Sequence, residues 1–184
     1  MTAGRHDPGG KVRLALMDGV KGDAQFSDDG RYRPLMRRWL GDAFPDRYLL
    51  FIGMNPSTAD AAVNDPTCGR EWTFTQREGF DAMVKANVGD YRATDPKMLL
   101  AAGVVASSPA NLPAIRAAAA GAAQVVLCHG KLNKALAPAG KALVEALTED
   151  GVDLWCFGVN GDGSPKHPLY LRADTPLVRW RPQV

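Results

Sequence analysis

Tyr48-Leu-Leu-Phe-Ile-Gly-Met-Asn-Pro-Ser-Thr-Ala-Asp60 is the stretch from which the rest of the chain can be read. Its first five residues form a short apolar run of the kind that a buried strand needs. Gly53 lets the backbone turn sharply at the end of that run, and Pro56 stiffens the exit. Asn55 therefore belongs at the carboxyl end of a core strand, the edge at which open α/β sheets place their ligands. An amide fixed there can hold a water or read the edge of a base, because it carries donors and an acceptor together. The same residues are also ordinary turn chemistry, so their meaning depends on what the other strand ends carry.

Outward from this strand, helices and strands alternate. Before it, Arg31-Tyr-Arg-Pro-Leu-Met-Arg-Arg-Trp-Leu40 reads as a short amphipathic helix with a basic side, opened by Pro34 in its first turn. After it, residues 67–79 read as a helix, and Phe80–Val88 reads as a second strand ending at Asn87. Thr94-Asp-Pro-Lys97 is helix-start chemistry, and the alanine-rich run Asn111–Ala123 is helical by propensity. Gln124–Cys128 is a short buried strand ended by His129-Gly130, residues 138–148 form a helix, and Val152–Phe157 is a further strand. The predicted fold is a three-layer α/β/α domain with a short, mostly parallel central sheet, spanning residues 26–184. Residues 1–25 read as a flexible N-terminal segment, with some strand character in residues 11–20.

Composition narrows the function. A formal net charge of +2 does not announce a nucleic-acid binder by bulk charge, so any such contact has to come from local clusters. Arg31, Arg33, Arg37 and Arg38 form one candidate cluster, and Arg172, Arg179 and Arg181 another. No apolar run approaches the ~18 residues of a membrane span, and no signal-peptide core opens the chain, so a cytoplasmic protein is expected. Cys68, Cys128 and Cys156 are scattered, which suits buried thiols and not a disulfide framework or a metal knuckle. Asp60, Asp65 and Asp162 have no metal-ligand spacing, and no metal or cofactor is expected.

Four strand ends carry polar residues: Asn55, Asn87, His129 and, after a Gly/Asn/Asp-rich loop, His167. In a parallel sheet these ends share one edge. Across about residues 26–180 the chain resembles the DUF1643 family of uncharacterised bacterial and phage proteins. The shared pieces are Tyr32-Arg-Pro-Leu-x-Arg-x-Trp39, Gly53-Met-Asn-Pro-Ser-Thr-Ala-Asp60, Asp65-Pro-Thr67, Tyr91-Arg-Ala-Thr-Asp-Pro96 and Asp162-Gly-Ser-Pro-Lys-His-Pro-Leu-Tyr170. Gly53-Met-Asn-Pro56, Asn87 and His167-Pro168 are also similar, in order and position, to the motifs of the uracil-DNA glycosylase superfamily. Ser57 stands where those enzymes usually carry glycine, and Leu169 where they often carry serine.

That second resemblance implies a glycosylase-like fold and hydrolysis of the N-glycosidic bond of a damaged or modified base. Asn55 would position the attacking water, and His167 would stabilise the departing base. Asn87 would read the base edge. Gly53, Met54, Pro56, Ser57 and Pro168 would line the base site, and Trp72 or Phe74 would stack on the flipped base. Arg70, Arg92, Lys166 and Arg172 are the candidate phosphate contacts, and Asp60, Asp65 and His129 are additional candidates for the site. The partner would be DNA or a nucleotide. Two alternatives stay open: a nucleotide- or nucleic-acid-binding module without hydrolysis, and an enzyme acting on modified nucleotides in phage DNA metabolism.

Overall fold

The computed structural model describes residues 6–9 and 12–181. The apolar run at its centre becomes strand β4, Leu49–Gly53, in which every residue is buried. Three short strands precede it: β1 (Leu14–Ala15), β2 (Lys21–Ala24) and β3 (Met36–Trp39). After it come β5 (Val63–Asn64), helix α1 (Pro66–Arg77) and β6 (Ala82–Asn87). Helix α2 (Asn111–Gly121), β7 (Gln124–Leu127), helix α3 (Ala137–Glu149), β8 (Leu154–Cys156) and β9 (Val178–Arg179) complete the order. Short 3-10 turns lie at Pro96–Leu100 and Pro168–Tyr170.

One seven-stranded sheet runs in the order β2-β3-β6-β4-β7-β8-β9, and β1 pairs separately with β5. Strands β6, β4, β7 and β8 are parallel, as repeated strand–helix–strand crossovers require. The pairings of β2 with β3, β3 with β6 and β8 with β9 are antiparallel. The sheet is therefore mixed and wider than the short, mostly parallel sheet expected. Its antiparallel margins are short and partly polar, Lys21-Gly-Asp-Ala24 on one side and Val178-Arg179 on the other, and lack the apolar pattern that marks a core strand. β2 also lies inside the segment 1–25 expected to be flexible; its residues are paired with β3 in register, Lys21 opposite Trp39.

The expected helix at Arg31–Leu40 is instead the strand β3. Its buried residues, Met36 and Arg38, alternate with half-buried Arg37 and Trp39, a period of two and not of 3.6. The alternation escapes a hydrophobic reading because one of the inward residues is an arginine. Arg38 is fully buried, with Nε donating to Asn64 Oδ1 at 2.9 Å and Nη2 donating to the carbonyls of Asp60 and Val63 at 2.6 and 2.9 Å. Arg33 is also buried and bonds the Ala59 carbonyl. Arg37 pairs with Asp23 on β2 and the exposed Arg31 with Asp29, so Arg33 and Arg38 are internal cross-links and the other two arginines of this cluster are engaged with carboxylates.

Two apolar cores sit on opposite faces of the sheet. On one face Leu49, Phe51, Met83 and Val126 pack with Cys68, Trp72 and Phe74 of α1. On the other, Leu50, Ile52, Val84, Ala86, Val125 and Leu127 pack with Ile115 and Ala118 of α2 and Leu143 and Leu147 of α3. The chain thus leaves β4 toward α1 on one face and leaves the neighbouring β6 toward α2 on the other. Adjacent strands whose exits diverge in this way open a crevice at their carboxyl ends.

Candidate functional site

A cleft of about 410 Å³ lies at that crevice. Gly53, Met54, Asn55 and Ser57 line it from the end of β4, Lys85 and Asn87 from β6, and Asp65 and Cys68 from the start of α1. Ala93 and Thr94 close one side, and His167, Leu169 and Tyr170 close another. Arg33 also reaches it.

Each side chain is placed by its element. Gly53 lies directly opposite Asn87 in the β4–β6 register, and Lys85 precedes Asn87 by two residues, so both point to the same face. A Cβ built on Gly53 would stand 2.5 Å from Lys85 Nζ and 2.7 Å from Asn87 Oδ1. The glycine is therefore the floor over which these two polar ends converge. Asn87 is 1% exposed, and its Nδ2 has no hydrogen-bond partner among the described residues. A buried amide with idle donors is costly unless something supplies acceptors. Its backbone is held by Asn111, whose Nδ2 donates to the Asn87 and Val88 carbonyls, both at 3.0 Å.

Asn55 is oriented the other way. Its Nδ2 donates to the Ala93 carbonyl at 2.7 Å and the Pro56 carbonyl at 3.1 Å. With both N–H groups engaged, the remaining function of this amide is acceptance at Oδ1, which suits a water whose oxygen must face a substrate. His167 Nδ1 accepts from the Leu169 N–H at 3.3 Å, so the ring proton belongs on Nε2 and makes that atom a donor. Burial, reinforced by the charge of Lys85 and opposed by Asp65, pushes the His167 pKa down to about 4, so the ring is neutral at pH 7. The loop that carries His167 is fastened to α1 by Arg70, which bonds the Leu171 carbonyl, and by Arg77, which donates to the Ala173 and Thr175 carbonyls at 2.6 and 2.7 Å. Gly130, just past β7, brings the backbone close to the His167 Cβ from the other side.

Lys85 is 3% exposed and forms an ion pair with Glu71 of α1, itself wholly buried. Burial alone would drive the lysine toward its neutral amine, but the Glu71 carboxylate beside it holds it protonated. Burial also pushes the Cys68 and Cys128 thiols up, so both stay protonated beneath the cleft.

Of the residues expected from sequence, Gly53, Met54, Asn55, Ser57, Asp65, Asn87 and His167 line this one cleft. Pro56 and Pro168 are buried beside it and shape its backbone without lining it. Trp72 and Phe74 do not face it. Both are core residues under α1, and Phe74 stacks on Phe157 with centroids 4.3 Å apart. Their places on the sheet-facing side of the helix exclude them as a stacking platform. The aromatic ring that does line the cleft is Tyr170, 84% exposed and tilted against His167 at 5.8 Å. His129 lies in a second, shallower cleft with Lys131, Asp162 and Trp180, its Nδ1 2.6 Å from the Gly130 carbonyl oxygen. Asp60 bonds the backbone N–H groups of Ala62 and Val63 at 2.9 and 3.0 Å and shapes the loop beyond the cleft. Asp65 caps α1, accepting from the Cys68 N–H at 2.8 Å.

The four candidate phosphate contacts do not line the cleft. Arg70 is tied to Leu171 and lies over the Phe74 ring, and Arg172 pairs with Asp174 at 3.1 Å. Arg92 is buried, donating to the Gly30 carbonyl at 2.9 Å, and Lys166 is exposed on the loop before His167. Sequence reasoning missed Lys85, Glu71, Arg33 and Tyr170. Lys85 had a signal: a lysine between Val84 and Ala86 in an otherwise apolar strand. Arg33, Ala93, Thr94 and Tyr170 lie within the shared motifs quoted above; Arg33 was read there as part of a basic cluster and Thr94 as helix-start chemistry, and none of the four was placed in the site.

Among the described residues no group of three or more His, Cys, Asp or Glu side chains is arranged to hold a metal ion. No described helix is long and apolar enough to cross a membrane. No curated protein and no solved structure matches the chain. A family model described as "Protein of unknown function (DUF1643)" does match, over residues 31–169, a span that includes Arg33, strands β4 and β6, the start of helix α1 and His167 of this cleft; the chain belongs to the DUF1643 family.

Proposed function

We propose that the protein hydrolyses the N-glycosidic bond of a damaged or modified base in DNA that is single-stranded or locally opened, within a glycosylase-like three-layer fold. The observation that carries this reading is Asn87. Its buried amide has an unpartnered Nδ2 in a cleft that also holds an acceptor, Asn55 Oδ1, and a neutral donor, His167 Nε2. A nucleobase offers the acceptor and donor edge that such an amide needs. With the base edge on Asn87, Asn55 Oδ1 orients a water toward the sugar. The C1′–N bond breaks with its electron pair on the base, the water hydroxyl adds to C1′, and the water proton ends on the base. His167 Nε2–H supports the charge that develops on the leaving ring.

The test is single-turnover base release by the wild type and two variants. Asn55→Ala should lower the rate by about 10²-fold through loss of water positioning. His167→Ala should lower it by about 10²–10³-fold through loss of leaving-group support. Melting temperatures should be little changed in both. Release that survives both substitutions would place the chemistry elsewhere.

A second reading, a nucleotide-binding module without hydrolysis, is favoured by the engagement of Arg70 and Arg172 in intramolecular contacts, which leaves fewer cations for a DNA backbone. Tight binding of a nucleotide that requires Asn87, with no base released from any DNA, would select it.

A further inference from the structure

A lysine in a strand buried on both faces needs a reason. Lys85 sits between Met36 on β3 and Phe51 on β4 in the sheet register, and a methionine or leucine would fill that place at no electrostatic cost. Neutralising Glu71 is an incomplete reason, because that carboxylate is itself buried in an apolar core and its Oε2 has no partner among the described residues. The pair is not closed on itself. Of the three ammonium donors, one meets Glu71 Oε1, and Cys128 Sγ stands at a weak 4.0 Å. The ammonium is not tucked away either. It lines the cleft and reaches the space over Gly53 beside the Asn87 amide. Its charge is felt by His167 across the cleft and by His129, while Glu71, Cys68 and Cys128 are the titratable groups that surround it.

We infer that Lys85 is a specificity-determining charge at the floor of the cleft, and that the ligand it selects is the anionic form of a lactam base, a ring with adjacent carbonyl and N–H groups. This rests on the reading of the cleft as a nucleobase site and names the class of base. The Asn87 amide, with an available donor and an acceptor side by side, matches the carbonyl and N–H of a lactam edge. A lactam ring that has lost a proton, or that has just left a sugar with the bonding electron pair, spreads negative charge onto its carbonyl oxygens. Lys85 supplies a fixed, desolvated counter-charge for that form, and a charge-assisted hydrogen bond is stronger than a neutral one. An amino-substituted base can match the same amide, but it presents an N–H donor and no anionic oxygen to the Lys85 ammonium, which is donor-only, and is disfavoured there.

The experiment measures binding of free bases by calorimetry across pH. Xanthine and 5-nitrouracil lose a ring proton near neutral pH; uracil stays neutral there and reports any change in the protein itself. For the wild type, affinity for xanthine or 5-nitrouracil relative to uracil should rise about tenfold or more through the ligand's own ionisation. Lys85→Met combined with Glu71→Gln removes both buried charges together and should abolish that rise while keeping a melting transition near the wild type. A wild type that binds none of these bases, or binds them without regard to their ionisation, overturns the inference with no variant needed. A rise that persists in the double variant overturns it as well. Base release from DNA without the anionic preference would sink this inference and leave hydrolysis standing. The preference without any base release would do the reverse.

Discussion

A methyl group at position 53 would stand 2.5 Å from Lys85 Nζ and 2.7 Å from Asn87 Oδ1, and both are the far ends of side chains. Gly53→Ala should therefore fold, because those ends can shift, yet lose base binding, because they can no longer converge. Calorimetric titration alongside a melting curve checks this, and unimpaired binding in a folded variant would show that the convergence is unimportant. His167 makes a second prediction at this scale. The unfolded chain's histidine takes up a proton near 6.5, whereas the folded ring resists until about 4, chiefly through burial. Protonation thus favours the unfolded state, and stability should fall as pH drops from about 6.5 toward 4 and be level above that window. Base release should likewise be flat through 6.5 and decline only as pH nears 4; an inflection at 6.5 would mean that His167 is not held neutral. Asn55, Asn87 and His167 were legible as strand-end and loop residues of one sheet edge. Lys85 was not, because period-2 reasoning treats a lysine in an apolar strand as a solvent-facing residue. Trp72 and Phe74 were misplaced for a related reason: proximity in sequence to the motif says nothing about which side of α1 faces the sheet.

Helix α1 connects stability to the site at the scale of elements. Its N-cap, Asp65, lines the cleft, and its interior supplies Glu71 to Lys85. Asp65→Ala should cost about 1 kcal/mol of stability through loss of the cap. Asp65→Asn keeps an acceptor at the cap and should restore both stability and base release if capping is what Asp65 does. Stability restored without base release would make Asp65 a proton acceptor in the reaction. The helices α1, α2 and α3 and strands β4, β6, β7 and β8 were legible because apolar periodicity and flanking Gly, Pro and Asp residues agreed on them. Strand β3 was not. Its inward Arg38 bonds the Asp60 carbonyl in the loop between β4 and β5 and the Val63 carbonyl of β5, so a residue counted as surface is a core cross-link.

At the scale of the whole molecule, the sheet margins decide how the chain departs from a plain parallel α/β pattern. β2 and β9 are short and partly polar, and edge strands of that kind carry little hydrophobic signal. What the sequence did convey was the alternation of strands and helices, and with it the shared sheet edge at which Asn55, Asn87 and His167 gather; the divergence of β4 and β6 toward opposite faces came only with the packing. In the function proposed above, this edge reads a base through Asn87 and releases it from its sugar. The most direct test is mass spectrometry of the bases released when wild-type protein and Asn87→Ala are incubated with a panel of natural and modified single-stranded and mismatched DNAs. The wild type should release a lactam base, natural or modified, and Asn87→Ala, folded as judged by its melting curve, should lose that choice of base or the release itself. No base released by the wild type from any DNA, or the same base released equally well by Asn87→Ala, would contradict the claim.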